Sequence, residues 1–140
     1  MSKQDFLNQF DHITAALPLQ GNARAIIHNG LEFPTTRDEY WKYTRTASII
    51  NTSFKQNDSA VNTLEQYLID GLDAHLIVFV NGVYSSGLSS TNLPEGVKVV
   101  ALSEASLEDK NLMCEHLGKY INSEDQAFST FNTSYFKDVA

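Results

Sequence analysis

The chain has 140 residues, 42% of them hydrophobic and 19% charged, the balance of a folded domain and not of a disordered segment. Ten basic residues against seventeen acidic ones give a net charge of −7, and with no basic block this disfavours nucleic acid and anionic membrane surfaces as partners. No apolar run approaches the roughly 18 residues of a membrane span, and the start MSKQDFLNQF lacks the basic and apolar regions of a secretory signal.

A single domain over residues 1–140 is therefore expected, in the cytoplasm, needing no disulfide or metal staple. The lone cysteine, Cys114, has no partner within the chain, which suits a reducing compartment.

Residues 3–17 place Phe6, Phe10, Ile13 and Leu17 on one helical stripe, with Ser2 to cap its start and Pro18 beyond its end. A second helix is predicted over about residues 20–29 with Ala23, Ile26 and Ile27 inward. Gly30 follows it as a left-handed stop. Phe33-Pro34 then forces an extended entry, and Thr36-Arg37-Asp38-Glu39 fits a capping box that opens a short helix at about residue 37. Tyr40, Trp41 and Tyr43 fall on successive faces of that helix, so they cannot all point inward. Residues 46–51, TASIIN, suit a short strand, which closes an early helical part over 1–51.

The rest, 52–140, reads as a hairpin and helices. Residues 54–60 form a polar loop, and a helix over 60–71 would bury Val61, Leu64, Leu68 and Leu72. Strands are predicted near 76–80 and 83–88, joined by Asn81-Gly82, the preferred dipeptide of a type I′ hairpin. The unbroken apolar run 76–80 implies that both of its faces are covered. A turn over 93–96 leads to a third strand at 97–102. Ser103 then caps a helix within 104–121, with Leu107, Leu117, Tyr120 and Ile121 toward the core. Phe128, Phe131, Tyr135 and Phe136 share the face of a last helix. The sum is an α+β fold, several helices on a small sheet.

Catalytic and metal motifs are missing. Cys114 and His116 point about 200° apart on a helix, and no CxxC, HxxxH or HExxH spacing occurs. Cys114 thus reads as structural and His116 as a surface residue. The glycines match no phosphate-binding loop, and Ser85-Ser86-Gly87-Leu88-Ser89-Ser90 lies past a hairpin and not on a nucleophile elbow. Asp38, Glu39, Asp109, Glu124 and Asp125 read as caps and solvated faces. The aromatic run at 40–43 reads as a packing anchor with a basic rim of Arg37, Lys42 and Arg45 that suits an acidic partner.

The order of these segments resembles a known family. Pro34 through Thr44, containing Glu39, Trp41, Lys42, Tyr43 and Thr44, resembles the P-x-x-x-x-E-x-W-K-Y-T signature of the SufD proteins of iron–sulfur cluster assembly, in the SufB/SufD family. The stretch Leu76 to Gly82, with its Asn81-Gly82 turn, looks like the family's apolar strand. Leu88-Ser89 through Leu93-Pro94-Glu95-Gly96-Val97 looks like its LS…LPxGV segment, and Phe128 through Phe136, with Asn132, resembles its F…LNTAF stretch. Val139 stands where the family usually has glycine after the aspartate at Asp138.

The resemblance implies a non-enzymatic component of a SufBCD-type complex, with SufB and SufC as partners and no catalytic, cofactor or metal residue in this segment. It also implies a longer protein, since the family continues into a parallel β-helix and a helical region that carry those contacts. Pro34, Glu39, Trp41, Lys42, Tyr43, Thr44, Asn81, Gly82 and Asn132 are then signature and packing positions. Trp41→Ala is expected to cost about 3–5 kcal/mol as the loss of a buried aromatic. The competing readings are a small ligand-binding or enzymatic domain with a cleft near Trp41 and residues 85–92, and a homodimer pairing sheet edges.

Overall fold

The computed structural model describes residues 1–57, 59–121 and 126–140. Among them are five α-helices, namely α1 (Lys3–Asn8), α2 (Pro18–Asn29), α3 (Ala47–Ile50), α4 (Leu107–His116) and α5 (Ala127–Tyr135). One antiparallel hairpin, β1 (Phe79–Val80) and β2 (Val83–Tyr84), completes an α+β arrangement. The chain divides into two compact units, one of Met1–Lys55 with Glu115–Phe136, the other of Gln56–Cys114 with Lys137–Ala140.

The first unit holds the aromatic core. Ser2 caps α1 in a capping box, its hydroxyl accepting from the Asp5 amide at 3.1 Å while the Asp5 carboxylate accepts from the Ser2 amide at 3.0 Å. The Ser2 amide first, and then the Ser2 side chain, hold the Asp5 carboxyl below its ordinary pKa. The predicted stripe over 3–17 is shorter than expected, because α1 ends at Asn8. Phe10 and Ile13 still reach the core from the turns that follow.

Phe6, Leu7, Ile27, Phe33, Ala127 and Tyr135 form the buried centre, with Phe10, Phe128 and Phe131 packed against it. Phe6 lies 5.3 Å from Phe10, 5.5 Å from Phe33 and 5.2 Å from Phe131, ring centre to ring centre. The Phe6–Phe33 pair meets edge to face, the arrangement that the ring quadrupoles favour.

Three other expectations for this unit need correction. Gly30 ends α2 at φ 175°, an extended backbone value and not a left-handed one. Residues 46–51 make the short helix α3 and not a strand. Ser48 Oγ donates to the Arg45 carbonyl at 3.1 Å and Thr52 Oγ1 to the Ser48 carbonyl at 2.7 Å, which holds the backbone in a turn. Tyr120 and Ile121 are exposed, and Leu117 is half-buried.

The second unit is built around the hairpin. Phe79 faces Tyr84 and Val80 faces Val83, with Asn81 at φ 52° and Gly82 at φ 81°. Two successive positive φ angles are what a type I′ turn requires, and Asn-Gly supplies them at the lowest steric cost. Beyond the strands, Ser85 N–H donates to the Val78 carbonyl at 2.9 Å, and the Ser89 hydroxyl accepts from the Val78 amide at 2.9 Å. Serine side chains thus replace backbone partners along residues 85–90, which shortens the return strand. Asp138 accepts from the Tyr84 amide at 3.2 Å, and Val139 O accepts from the Leu102 amide at 2.7 Å.

Here too the sequence expectations are only partly met. The 60–71 helix is reduced to a single 3₁₀ turn at Glu65–Tyr67, with Leu68 and Leu72 exposed. An isolated helix of that length is marginal in water unless an amphipathic face is packed, and the exposed Leu68 and Leu72 are not packed. The 76–80 run is strand only at Phe79–Val80, and Leu76, Ile77 and Phe79 are exposed, so its faces are not both covered. Residues 97–102 form no strand. The turn predicted at 93–96 sits one residue later, with Val97 N–H on the Pro94 carbonyl at 3.1 Å and Gly96 at φ 82°. The cap expected at Ser103 is made by Ser106, whose hydroxyl accepts from the Asp109 amide at 3.1 Å. Lys98 and Ser106 both donate to the Asp109 carboxylate and hold its carboxyl below its ordinary pKa, Lys98 first. Leu107 is exposed, not inward.

Candidate interaction surface

The segment from Phe33 to Thr46 belongs to the first unit and is held as a loop by its own polar groups. Thr46, buried, donates its hydroxyl to the Pro34 carbonyl and so ties the two ends together. Asp38 does not serve a Thr36–Glu39 capping box. Its carboxylate accepts from the Thr35 amide at 2.6 Å and from the Thr35 hydroxyl at 3.1 Å, while Thr35 Oγ1 accepts from the Arg37 amide at 3.2 Å. The short helix expected from residue 37 is therefore a single 3₁₀ turn at Glu39–Trp41, with no side-chain cap. Local side-chain bonds at Thr35 and Asp38 compete with helix formation and win.

That turn sorts the aromatics. Trp41 is half-buried and lies against Phe128, ring centres 5.4 Å apart. Tyr40 is 98% exposed and Tyr43 92% exposed, so neither pins the segment to the core. Lys42 Nζ sits 5.7 Å from the centre of the Tyr43 ring, an exposed cation–π contact. Arg37, Lys42 and Arg45 are exposed as well, so two exposed tyrosines share the loop with three basic residues and with Asp38 and Glu39. A cleft of about 600 Å³ adjoins its base, lined by Lys3, Glu32, Thr35, Arg45, Thr46 and Asn51 among others. Lys3 pairs with Glu32 at 2.9 Å and donates to the Leu31 carbonyl at 3.2 Å, so its charge is already engaged.

Because Trp41 touches one ring and remains half in solvent, its truncation should cost less than a buried aromatic would. Trp41→Ala is expected to lower stability by about 1–2 kcal/mol in a urea titration, and Tyr40→Ala or Tyr43→Ala by no more than about 0.5 kcal/mol.

The other sequence-selected positions do not join this loop. Asn132 is exposed on α5, where its carbonyl accepts the Phe136 amide at 2.9 Å. Asn81 and Gly82 form the hairpin turn of the second unit. Cys114 is exposed on α4 and not a packed structural residue. His116 is exposed and bonds Tyr120 through Nδ1. Glu124 and Asp125 lie outside the described residues. Among the described residues, no three His, Cys, Asp or Glu side chains converge as metal ligands, and no helix is long and apolar enough to cross a membrane.

A polar seam between α2 and α5 is the feature that sequence reading missed. Gln20, Arg24 and His28 stand four residues apart on one face of α2, and each reaches the carboxy-terminal helix. Gln20, wholly buried, donates Nε2 to the Phe136 carbonyl at 2.9 Å and accepts the Ala16 and Leu17 amides on Oε1 at 2.6 and 3.0 Å. Arg24 donates Nε to the Ser134 carbonyl at 2.9 Å, donates Nη2 to the Ile13 carbonyl, and lies 4.7 Å over the Tyr135 ring.

His28 Nε2 meets the Tyr135 hydroxyl at 2.9 Å, and that hydroxyl donates to Asp11 at 3.3 Å. Burial first, then the Asp11 charge and its hydrogen bond, push the Tyr135 hydroxyl up to about 12. The spacing 20-24-28 was visible in the sequence, but nothing local marked that face as buried. These polar ends are spent on one another and on backbone carbonyls, which makes the seam a fastening and not an open reaction site.

The comparisons with known proteins agree with one another. A family model described as the SufBD protein N-terminal region matches residues 19–140. The chain is 25% identical over 114 residues to an iron–sulfur cluster assembly SufBD family protein of Synechocystis sp., which covers 79% of this chain. It spans about a quarter of that curated relative's length, 25%. No solved structure matches significantly. With the family model covering most of the sequence, from α2 through α5, the chain belongs to the SufBD family and represents its amino-terminal region.

Proposed function

We propose that this chain is the amino-terminal interaction module of a SufD-type, non-enzymatic component of iron–sulfur cluster assembly. In this reading it works in the cytoplasm within a SufBCD-type complex, with SufB and SufC as its protein partners. The observation that carries the reading is the SufBD amino-terminal match over residues 19–140. The Trp41-Lys42-Tyr43-Thr44 signature favours SufD within that family. The reading assigns no catalytic residue, cofactor or resident metal to this segment, and iron and sulfide enter only as cargo of the assembled complex.

The exposed face supplies what such a module needs. Tyrosine and arginine are enriched where protein interfaces concentrate their energy, and exposed Tyr40 and Tyr43 share one loop with exposed Arg37 and Arg45. Being exposed, the two tyrosines contribute little to the fold, so their retention in solvent is better suited to a contact.

The test is isolation of the tagged native gene product under non-denaturing conditions, followed by identification of what accompanies it. SufB- and SufC-type subunits in stoichiometric amounts are the expected result. Recovery of the tagged protein alone overturns the assembly reading. A Tyr40→Asp/Tyr43→Asp variant that folds normally should lose at least about tenfold in affinity for the complex, and undiminished binding removes this face from the interface.

A further inference from the structure

The second unit carries an apolar groove that the proposed assembly role does not use. One wall is Val61, Leu64, Tyr67 and Leu68, and the other is the run from Leu76 to Val80 that leads into β1, enclosing about 440 Å³. That volume lies within the range of clefts that bind ligands. Ile77 and Phe79 are exposed on it, beside exposed Tyr67 and Leu68.

Backbone pairing shows that this edge is open. In an antiparallel pair, residues alternate between those that bond their partner and those whose amide and carbonyl face outward. Val78 bonds Ser85, and Leu76 accepts from Ser90 at 2.9 Å, so the even-numbered residues bond the return segment. Ile77 and Phe79 consequently turn their backbone groups to the other side. Among the described residues no group meets them there, and the sheet has only two strands. An exposed edge with unpaired groups is a template for another strand.

Charge selects the occupant. Residues 56–97 contain no lysine and no arginine but five carboxylates. Of these, Glu65 sits in the 3₁₀ turn that forms one wall, Asp70 and Asp73 fall between the two walls in the chain, and all three are exposed. An edge strand is ordinarily blunted by lysine or proline, and this one has neither.

We propose that this groove docks an extended, lysine- or arginine-rich segment of a partner protein, which adds to the open edge as a third strand and places alternate apolar side chains in the groove. Backbone bonds to Ile77 and Phe79 supply the register, and the apolar groove and the carboxylates of the segments that flank it in the chain supply the selectivity. The occupant is defined by its chemistry and holds whether or not SufB or SufC provides it.

The test uses the whole chain and a fluorescein-labelled peptide of about eight residues, a usual strand length, alternating lysine and valine. A second peptide replaces each lysine with glutamate, and a third carries N-methyl groups on the amides of one edge. Fluorescence anisotropy should show saturable binding of the first peptide, weakening as salt is raised. The glutamate and N-methyl peptides should bind at least about tenfold more weakly, and so should the first peptide to an Asp70→Lys/Asp73→Lys variant.

Equal binding of the lysine and glutamate peptides overturns the charge selection. Equal binding of the N-methyl peptide overturns strand addition. No saturable binding, or a concentration-dependent dimer that the lysine peptide does not dissociate, overturns the proposal and in the last case assigns the edge to a second copy.

Discussion

Phe6→Ala should cost about 3–5 kcal/mol, the range for removing a buried aromatic and leaving a cavity. Phe6 is 1% exposed and packs against Phe10, Phe33, Phe54 and Phe131, so its loss strips contacts from the turn after α1, the α2–α3 loop, the segment after α3 and α5 together. Domains of this size are stable by roughly 5–15 kcal/mol, and the first unit should therefore be substantially unfolded at modest urea.

The lone tryptophan makes the measurement specific. Trp41 rests on Phe128 within the same unit, so its fluorescence reports that unit's unfolding. Phe6→Leu keeps most of the volume and should retain most of the stability. A fluorescence midpoint unchanged in Phe6→Ala would mean that the ring cluster is not the core of the unit.

Gln20→Ala should be the second most damaging substitution, at about 2–4 kcal/mol. It deletes three hydrogen bonds at once and leaves the Ala16 and Leu17 amides and the Phe136 carbonyl unsatisfied, each at about 1–3 kcal/mol less whatever water can restore. The result separates into its parts with Gln20→Glu. A carboxylate still accepts both amides, and at the amino end of α2 it is favourably placed, but it donates nothing to Phe136. Hydrogen exchange should show Ala16 and Leu17 losing protection in Gln20→Ala and keeping it in Gln20→Glu. Equal protection in all three proteins would remove Gln20 from its fastening role.

Much of the local punctuation was legible because it depends on neighbours in the chain. Ser2 caps α1 since its hydroxyl needs only the amide three residues on, and Asn81-Gly82 turns since both residues tolerate positive φ. The aromatic positions Phe6, Phe10, Phe128, Phe131 and Tyr135 were likewise readable from helical spacing. For the exposed loop the sequence marked Tyr40, Trp41 and Tyr43 as a cluster, but not which ring would be buried. A 3₁₀ turn in place of an α-helix rotates the three rings differently, and the Thr35–Asp38 bonds that cause it are of the same kind that a capping box uses.

By itself, then, the sequence determined the α+β class, the hairpin turn, the aromatic identity of the core and the resemblance to the SufBD family. Each rests on residue type or on spacing within a few positions. Only the tertiary structure decided that the apolar runs at 60–72 and 76–80 would be left open as groove and edge, that Trp41 would meet Phe128, and that Gln20, Arg24 and His28 would face α5. The physical reason is that burial is not a property of a residue. An apolar or polar side chain becomes core, seam or surface according to whether a distant segment arrives to cover it, and no local pattern encodes that arrival.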